Sequence, residues 1–226
     1  MIRKITHWIH DYLHLFYRRG LAYIFYSPPK HYLGHIVKEK NPVVLIPGLR
    51  TKWHFLTKLV DQLSRNGHPI YVVKELGYNT KKIHHSANLV REFIESHDLK
   101  NIIIVAHSKG GLIGKYILIH HNKDRRVKKV ITVATPFGGT DTAKYFPIKS
   151  IKEMHPHSET IQKLHKEQRV NKHIVSIYGV FDNHVWPVES ARLEGAKNIQ
   201  VNTHGHHTIL LDKNVRGIVL AEVEKA

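Results

Sequence analysis

The sequence predicts an α/β fold, a mostly parallel sheet with helices on both faces, and three observations carry that prediction. Ile102, Ile103, Ile104 and Val105 form a continuous apolar, β-branched run with no polar alternation, so both faces of that strand are covered, as in the middle of a parallel sheet. Apolar strand-like runs alternate along the chain with segments of helical periodicity, the pattern of strands joined by crossover helices. The central run also stops abruptly. From Gly110 onward Leu112, Ile113, Tyr116, Ile117 and Ile119 recur at helical spacing, which leaves Ser108 on a sharp turn between strand and helix.

Taken in order, residues 1–19 have an amphipathic helical pattern. Ile2, Ile5, Trp8, Ile9, Tyr12, Leu13 and Phe16 fall on one side, and Arg3, Lys4, His7, His10, Asp11, His14 and Arg18 on the other. The apolar stretch is too interrupted to span a bilayer and lacks the h-region and small-residue cleavage site of a secretory signal. Two readings stay open: a helix packed on the domain's own core, and an interfacial helix that meets an anionic membrane with an aromatic face and a basic face. His7, His10 and His14 share a side, which brings metal binding into view, although a solvated face is the simpler account.

Ser27-Pro28-Pro29 breaks this first region, and a polar run leads to Pro42. The expected organisation is an aromatic, basic N-terminal segment over residues 1–41 and one domain over 42–226. Within that domain the predicted strands are Val43–Ile46, 70–73, 102–105, 130–134, 174–180 and 198–201. The predicted helices are 53–65, 84–96, the one after Ser108, 159–166 and a tail at 214–224. Residues 140–170, mixed polar, aromatic and histidine-rich, are the place for a small cap.

Composition bounds the chemistry. The chain has 226 residues, enough for one domain with a real core, and no cysteine, which removes disulfides and thiolate catalysis and is compatible with a reducing, cytoplasmic setting. The formal charge of +17 favours anionic surfaces such as phospholipid or nucleic acid. No helix-turn-helix, zinc-finger, RRM or KH signature accompanies it and the basic residues are scattered, so a nucleic-acid-binding module is disfavoured. The 21 histidines add charge on acidification and weaken any argument from a single histidine.

The motif Ala106-His107-Ser108-Lys109-Gly110-Gly111 has the small residues that a strained nucleophile turn needs two places before and after the serine. It resembles the nucleophile elbow of α/β-hydrolases, in the alanine form of small bacterial lipases and esterases, and the resemblance extends over about residues 42–224. What it implies is an α/β-hydrolase fold and acyl transfer through a Ser-Asp-His triad, with no metal or cofactor required. By the same resemblance Ser108 is the nucleophile. Asp182, in Gly179-Val180-Phe181-Asp182-Asn183-His184-Val185-Trp186-Pro187, matches the family's acid loop, with Glu189 and Asp141 as competitors. His206, in His204-Gly205-His206-His207, matches the catalytic histidine, with His207 as the neighbouring alternative. Pro47-Gly48-Leu49 stands where the family has an H-G-x loop, so the Leu49 N–H and that of Lys109 are the implied oxyanion donors, with Pro47 in place of the bracing histidine. Thr135-Pro136-Phe137-Gly138-Gly139-Thr140 is similar to a turn in lipases of this superfamily. The expected substrate is a carboxylic ester, with amidase, thioesterase and acyltransferase activities open on the same triad, and the expected partner surface is an anionic membrane contacted through residues 1–19.

Overall fold

The computed structural model describes residues 2–24 and 27–226, and within them the side chains of all but residues 2–5, 22 and 23. Six strands form one sheet in the order β2-β1-β3-β4-β5-β6: β1 (Val43–Ile46), β2 (Ile70–Val72), β3 (Ile102–His107), β4 (Val127–Val133), β5 (Ile174–Phe181) and β6 (Lys197–His204). Every neighbouring pair is parallel. The fold class read from the sequence is therefore the observed one.

The apolar run at the centre behaves as its composition dictates. Ile102 and Ile104 point to one core, shared with α4 (Ile83–Ser96) and α5 (Lys109–His120), while Ile103 and Val105 point to the other, shared with α3 (Thr57–Arg65) and α8 (Lys213–Glu224). Each such Ile or Val, completely buried, contributes about 1.5–3 kcal/mol relative to exposure. The helix starts are set by local chemistry: Asp212 accepts from the Asn214 and Val215 N–H groups at the head of α8, a cap worth about 1 kcal/mol. Residues 140–170 hold two short helices, α6 (Lys149–Lys152) and α7 (Glu159–Lys166), beside the carboxyl ends of the strands.

The N-terminal helix α1 (Ile2–Ile24) lies against the domain with the opposite polarity from the one its pattern predicts. Asp11, Leu15 and Arg18, one helical stripe, are buried, while Ile9, Leu13 and Phe16 are 53%, 62% and 62% exposed. The sequence placed Asp11 and Arg18 on the outward polar side. The reason is the surface beneath, which offers backbone and side-chain polar groups beside the apolar core that receives Leu15 and Tyr12. Arg18 donates to the His54 carbonyl and to Thr57 Oγ1, and Asp11 accepts from the loop after β6. α1 thus packs on the domain's core, through a mixed stripe in which Leu15 joins the core beside Asp11 and Arg18. Ile2, Arg3, Lys4 and Ile5 lie outside the described side chains. His7 stacks on His204 and His14 stands edge-on to Phe55, while His10 is exposed, so the three histidines serve different surroundings and form no common ligand set.

Candidate active site

The carboxyl ends of β3, β5 and β6 bring together the three loops that carry Ser108, Asp182 and His206. Ser108 has φ 52 and ψ −125, a left-handed conformation that costs a non-glycine residue of order 1–3 kcal/mol. Tight packing holds it there. A Cβ on Gly110 would fall 2.2 Å from the Ile46 carbonyl oxygen, and one on Gly111 2.1 Å from Thr135 Oγ1, so both glycines are required for α5 to pass under β1 and β4. Thr135 Oγ1 donates to the Ser108 carbonyl at 2.8 Å, which gives the Thr135–Thr140 turn a bracing role under the elbow. At its other end, Thr140 Oγ1 donates to the His184 carbonyl and accepts from the Trp186 N–H, fixing the acid loop.

The polar chain across the site is continuous. Ser108 Oγ lies 2.9 Å from His206 Nε2, and His206 Nδ1 lies 2.8 Å from Asp182 Oδ2. Asp182 Oδ1 accepts from the His184 and Val185 N–H groups at 2.7 and 2.9 Å. The competitors Glu189 and Asp141 are exposed, and His206 bonds to Asp182 instead. His207 turns away: its Nδ1 donates to Asp11 Oδ2 at 2.8 Å.

Four imidazoles crowd this spot. Ring centroids of His107 and His184 each lie 4.7 Å from that of His206, and His207 lies 5.0 Å from it. Burial drives His107 well below the ordinary imidazole value and His184 down to about 3, and it also lowers His207. His206 alone of the four is raised, because burial is outweighed by the Asp182 carboxylate and, more weakly, by Asp11. Burial pushes Asp182 up, but the charge and hydrogen bond of His206 and the His184 amide carry it below the usual carboxylate range. His206 is thus the most basic of the four imidazoles.

Gly48 lies against the elbow, where a Cβ would meet His107 Nδ1 at 3.0 Å and Ser108 Cβ at 3.2 Å, and Leu49 borders the same cleft. Asn79, which the sequence reading passed over, takes the place of the bracing histidine. Its Nδ2 donates to the Pro47 carbonyl at 2.7 Å, its Oδ1 accepts from Ser86, and its own carbonyl accepts from the buried Lys109 ammonium. The Lys109 side chain points away from the cleft in making that bond and another to the Lys81 carbonyl. The cleft holds about 280 Å³ and is walled by Phe146, Ile151 and Met154 from the segment 140–170 and by Tyr12, Leu15 and Phe16 of α1.

The profile of the alpha/beta hydrolase fold family matches residues 41–154, half of the chain and all of the segment from the Pro47-Gly48-Leu49 loop through the elbow. The chain belongs to the α/β-hydrolase family. Two curated relatives of this α/β-hydrolase, both named "Putative esterase/lipase 3", come from Mycoplasma pneumoniae and Mycoplasma genitalium. They are 35% and 36% identical over 75 and 76 residues, 32% and 33% of this chain. The match spans about a quarter (27%) of each relative's own length. Among solved structures, the mature lipase BlEst2 of Bacillus licheniformis superposes with a TM-score of 0.68 at 18% identity, over 87% of this chain and 96% of that one. Lipase B of Aspergillus fumigatus gives 0.64 at 16%, over 84% and 55%. At such identities these likenesses establish the fold alone.

Asp11, Asn79, Asn183 and the packing of His107 and His184 on His206 are the parts of the site that sequence reasoning missed. Asn183, His107 and His184 each sit inside a motif read from the sequence, and Asn183 accepts from the His206 N–H through Oδ1 at 2.9 Å.

Proposed function

We propose that this α/β-hydrolase cleaves carboxylic esters through Ser108, His206 and Asp182 by way of an acyl-enzyme. The observation that carries the reading is the unbroken hydrogen-bond chain from Asp182 through His206 to Ser108 Oγ. Ser108 Oγ attacks the ester carbonyl carbon while His206 Nε2 takes the hydroxyl proton, and Asp182 fixes the Nδ1–H tautomer and stabilises the imidazolium. The carbonyl oxygen becomes an oxyanion facing the Leu49 and Lys109 N–H groups, donors of a type worth several kcal/mol each. Collapse expels the alcohol, which receives its proton from His206. Water then gives a proton to His206 as it attacks the acyl carbon, and the second collapse breaks the acyl–Oγ bond, with His206 returning the proton to Ser108 Oγ as the acid leaves. The apolar cleft walls suit an acyl chain, and its size favours one of modest length. A panel of nitrophenyl esters of increasing chain length, with a fluorophosphonate probe for Ser108, tests the reading. Amide or thioester turnover exceeding ester turnover would move it to a neighbouring acyl-transfer class.

The pH dependence has a definite sign. His206 must be neutral to accept the serine proton, and Asp182 raises its pKa above 6.5. Activity is therefore expected to be full above that folded-state value and to fall as pH drops through it, so kcat/KM should show an acidic limb shifted up from the ordinary imidazole range.

A second element of the proposal is that α1 holds the cleft mouth at an anionic lipid surface. The outward face of α1 carries the exposed apolar residues Ile9, Leu13 and Phe16, of which Phe16 borders the cleft, Trp8 packs beside the exposed Trp186, and the chain carries +17, a combination suited to an interfacial helix. No described helix is long and apolar enough to cross a membrane. Ile9→Ser with Leu13→Ser is expected to weaken sedimentation with anionic liposomes and leave turnover of a short soluble ester unchanged, because both side chains face outward away from the cleft. Wild-type binding should also fall as salt rises. Undiminished liposome binding by the double variant would refute the contact.

A further inference from the structure

We propose that Asp11, on α1, is a positioning residue that locks the acid loop and the histidine loop into one rigid unit, an inference that rests on the triad reading above. Its side chain is completely buried, although it belongs to a helix whose apolar side faces outward. Oδ1 accepts from the His207 N–H at 2.6 Å, the Thr208 N–H at 2.9 Å and Thr208 Oγ1 at 3.2 Å. Oδ2 accepts from His207 Nδ1 at 2.8 Å and from Asn183 Nδ2 at 3.2 Å. Asn183 in turn accepts the His206 N–H. One carboxylate therefore spans the loop after β5, which carries Asp182, and the loop after β6, which carries His206.

The room for it is built into the chain. Gly205 has φ +103, and a Cβ there would lie 2.8 Å from Asp11 Oδ1, so the glycine before the histidine pair is the space into which α1 inserts its carboxylate. Burying a charge costs several kcal/mol even when it is well bonded, and an apolar side chain of similar volume often holds a helix as well or better. A carboxylate retained here is explained by what it orients. Asp11, His184 and His207 place possible ligand atoms within 4.8 Å of one another, yet both Asp11 oxygens are already taken by N–H and O–H donors, which makes the group a hydrogen-bond hub rather than a metal site.

Electrostatics agree with the geometry. Burial raises the Asp11 carboxyl, but the hydrogen bond from His207 and that from the Thr208 amide carry it far below the usual carboxylate range, while burial lowers His207. The charged and titratable groups facing His206 are Asp182 and His184 from the acid loop, His107 from β3, His207 beside it and Asp11 from α1. Removing the Asp11 charge should make His206 a weaker base.

Asp11→Asn tests this in the full chain. The amide keeps the volume and one acceptor, so the fold is expected to hold by circular dichroism and melting. With turnover of nitrophenyl butyrate normalised to the sites counted by exhaustive fluorophosphonate labelling, kcat should fall about tenfold to a hundredfold, the penalty of a slightly misplaced base. KM should change little, and the acidic limb of kcat/KM should move to lower pH, a shift that lost stability alone would not produce. If Asp11→Asn does not fold, Asn183→Ala severs the same bridge at its other end and should also lower kcat rather than raise KM. Wild-type kcat per labelled site in the variant tested overturns the proposal. A wild-type chain that neither labels at Ser108 nor turns over any ester overturns the ester-hydrolase reading itself, and this inference with it.

Discussion

Ser108→Ala is expected to remove ester hydrolysis almost entirely while leaving the fold in place. The side chain that disappears is the proposed nucleophile, held 2.9 Å from the His206 imidazole, and among the described residues no other serine has a left-handed backbone. Loss of the nucleophile from a triad lowers kcat by about 10⁶, the remainder coming from binding and the oxyanion donors. Alanine bears the same φ strain as serine, and the Thr135 bond to the residue's carbonyl survives the change, so melting should move little. Labelling of a different serine by a fluorophosphonate, or turnover by the variant at the wild-type rate, would dismantle the triad reading.

The two adjacent histidines supply the second large effect. His206→Ala should cost about as much as Ser108→Ala, and combining the two should add almost nothing, because triad members act as a unit. His207→Ala should cost far less. Its backbone N–H to Asp11 is retained and only the Nδ1 bond is lost, so the loop slackens without losing its base. Steady-state kinetics on one soluble ester distinguishes the cases, and a greater loss at His207 than at His206 would move the base by one residue.

Much of this was legible in the sequence because it is local. The apolar run of β3, the small residues around Ser108 and the glycine loop after β1 each state their conformation in a few neighbouring side chains. The acid loop and the histidine loop were found through resemblance and strand order, and the structure brings their residues within hydrogen-bonding distance of the elbow. β4 begins at Val127, three residues before the apolar signal, because Lys128 and Lys129 lie where the strand is partly exposed and carry no apolar pattern. Asp11 was illegible for a different reason. Helical periodicity assigns faces from a helix's own residues, whereas here the facing surface decided, and a loop rich in N–H donors drew the carboxylate inward. Asn79 was equally silent, since a polar residue in a loop announces no partner 32 positions away.

The bond between Asp11 and His207 joins residues 196 positions apart. α1 precedes the loop that receives its carboxylate by the whole sheet, so Arg18 meets His54 and Thr57 early while Asp11 waits for the loop after β6. Closing so long a loop carries a large entropic cost that only the finished sheet can offset. The loop that carries His206 follows the last strand, so a nascent chain that already holds the elbow serine lacks the proposed base until that strand is in place.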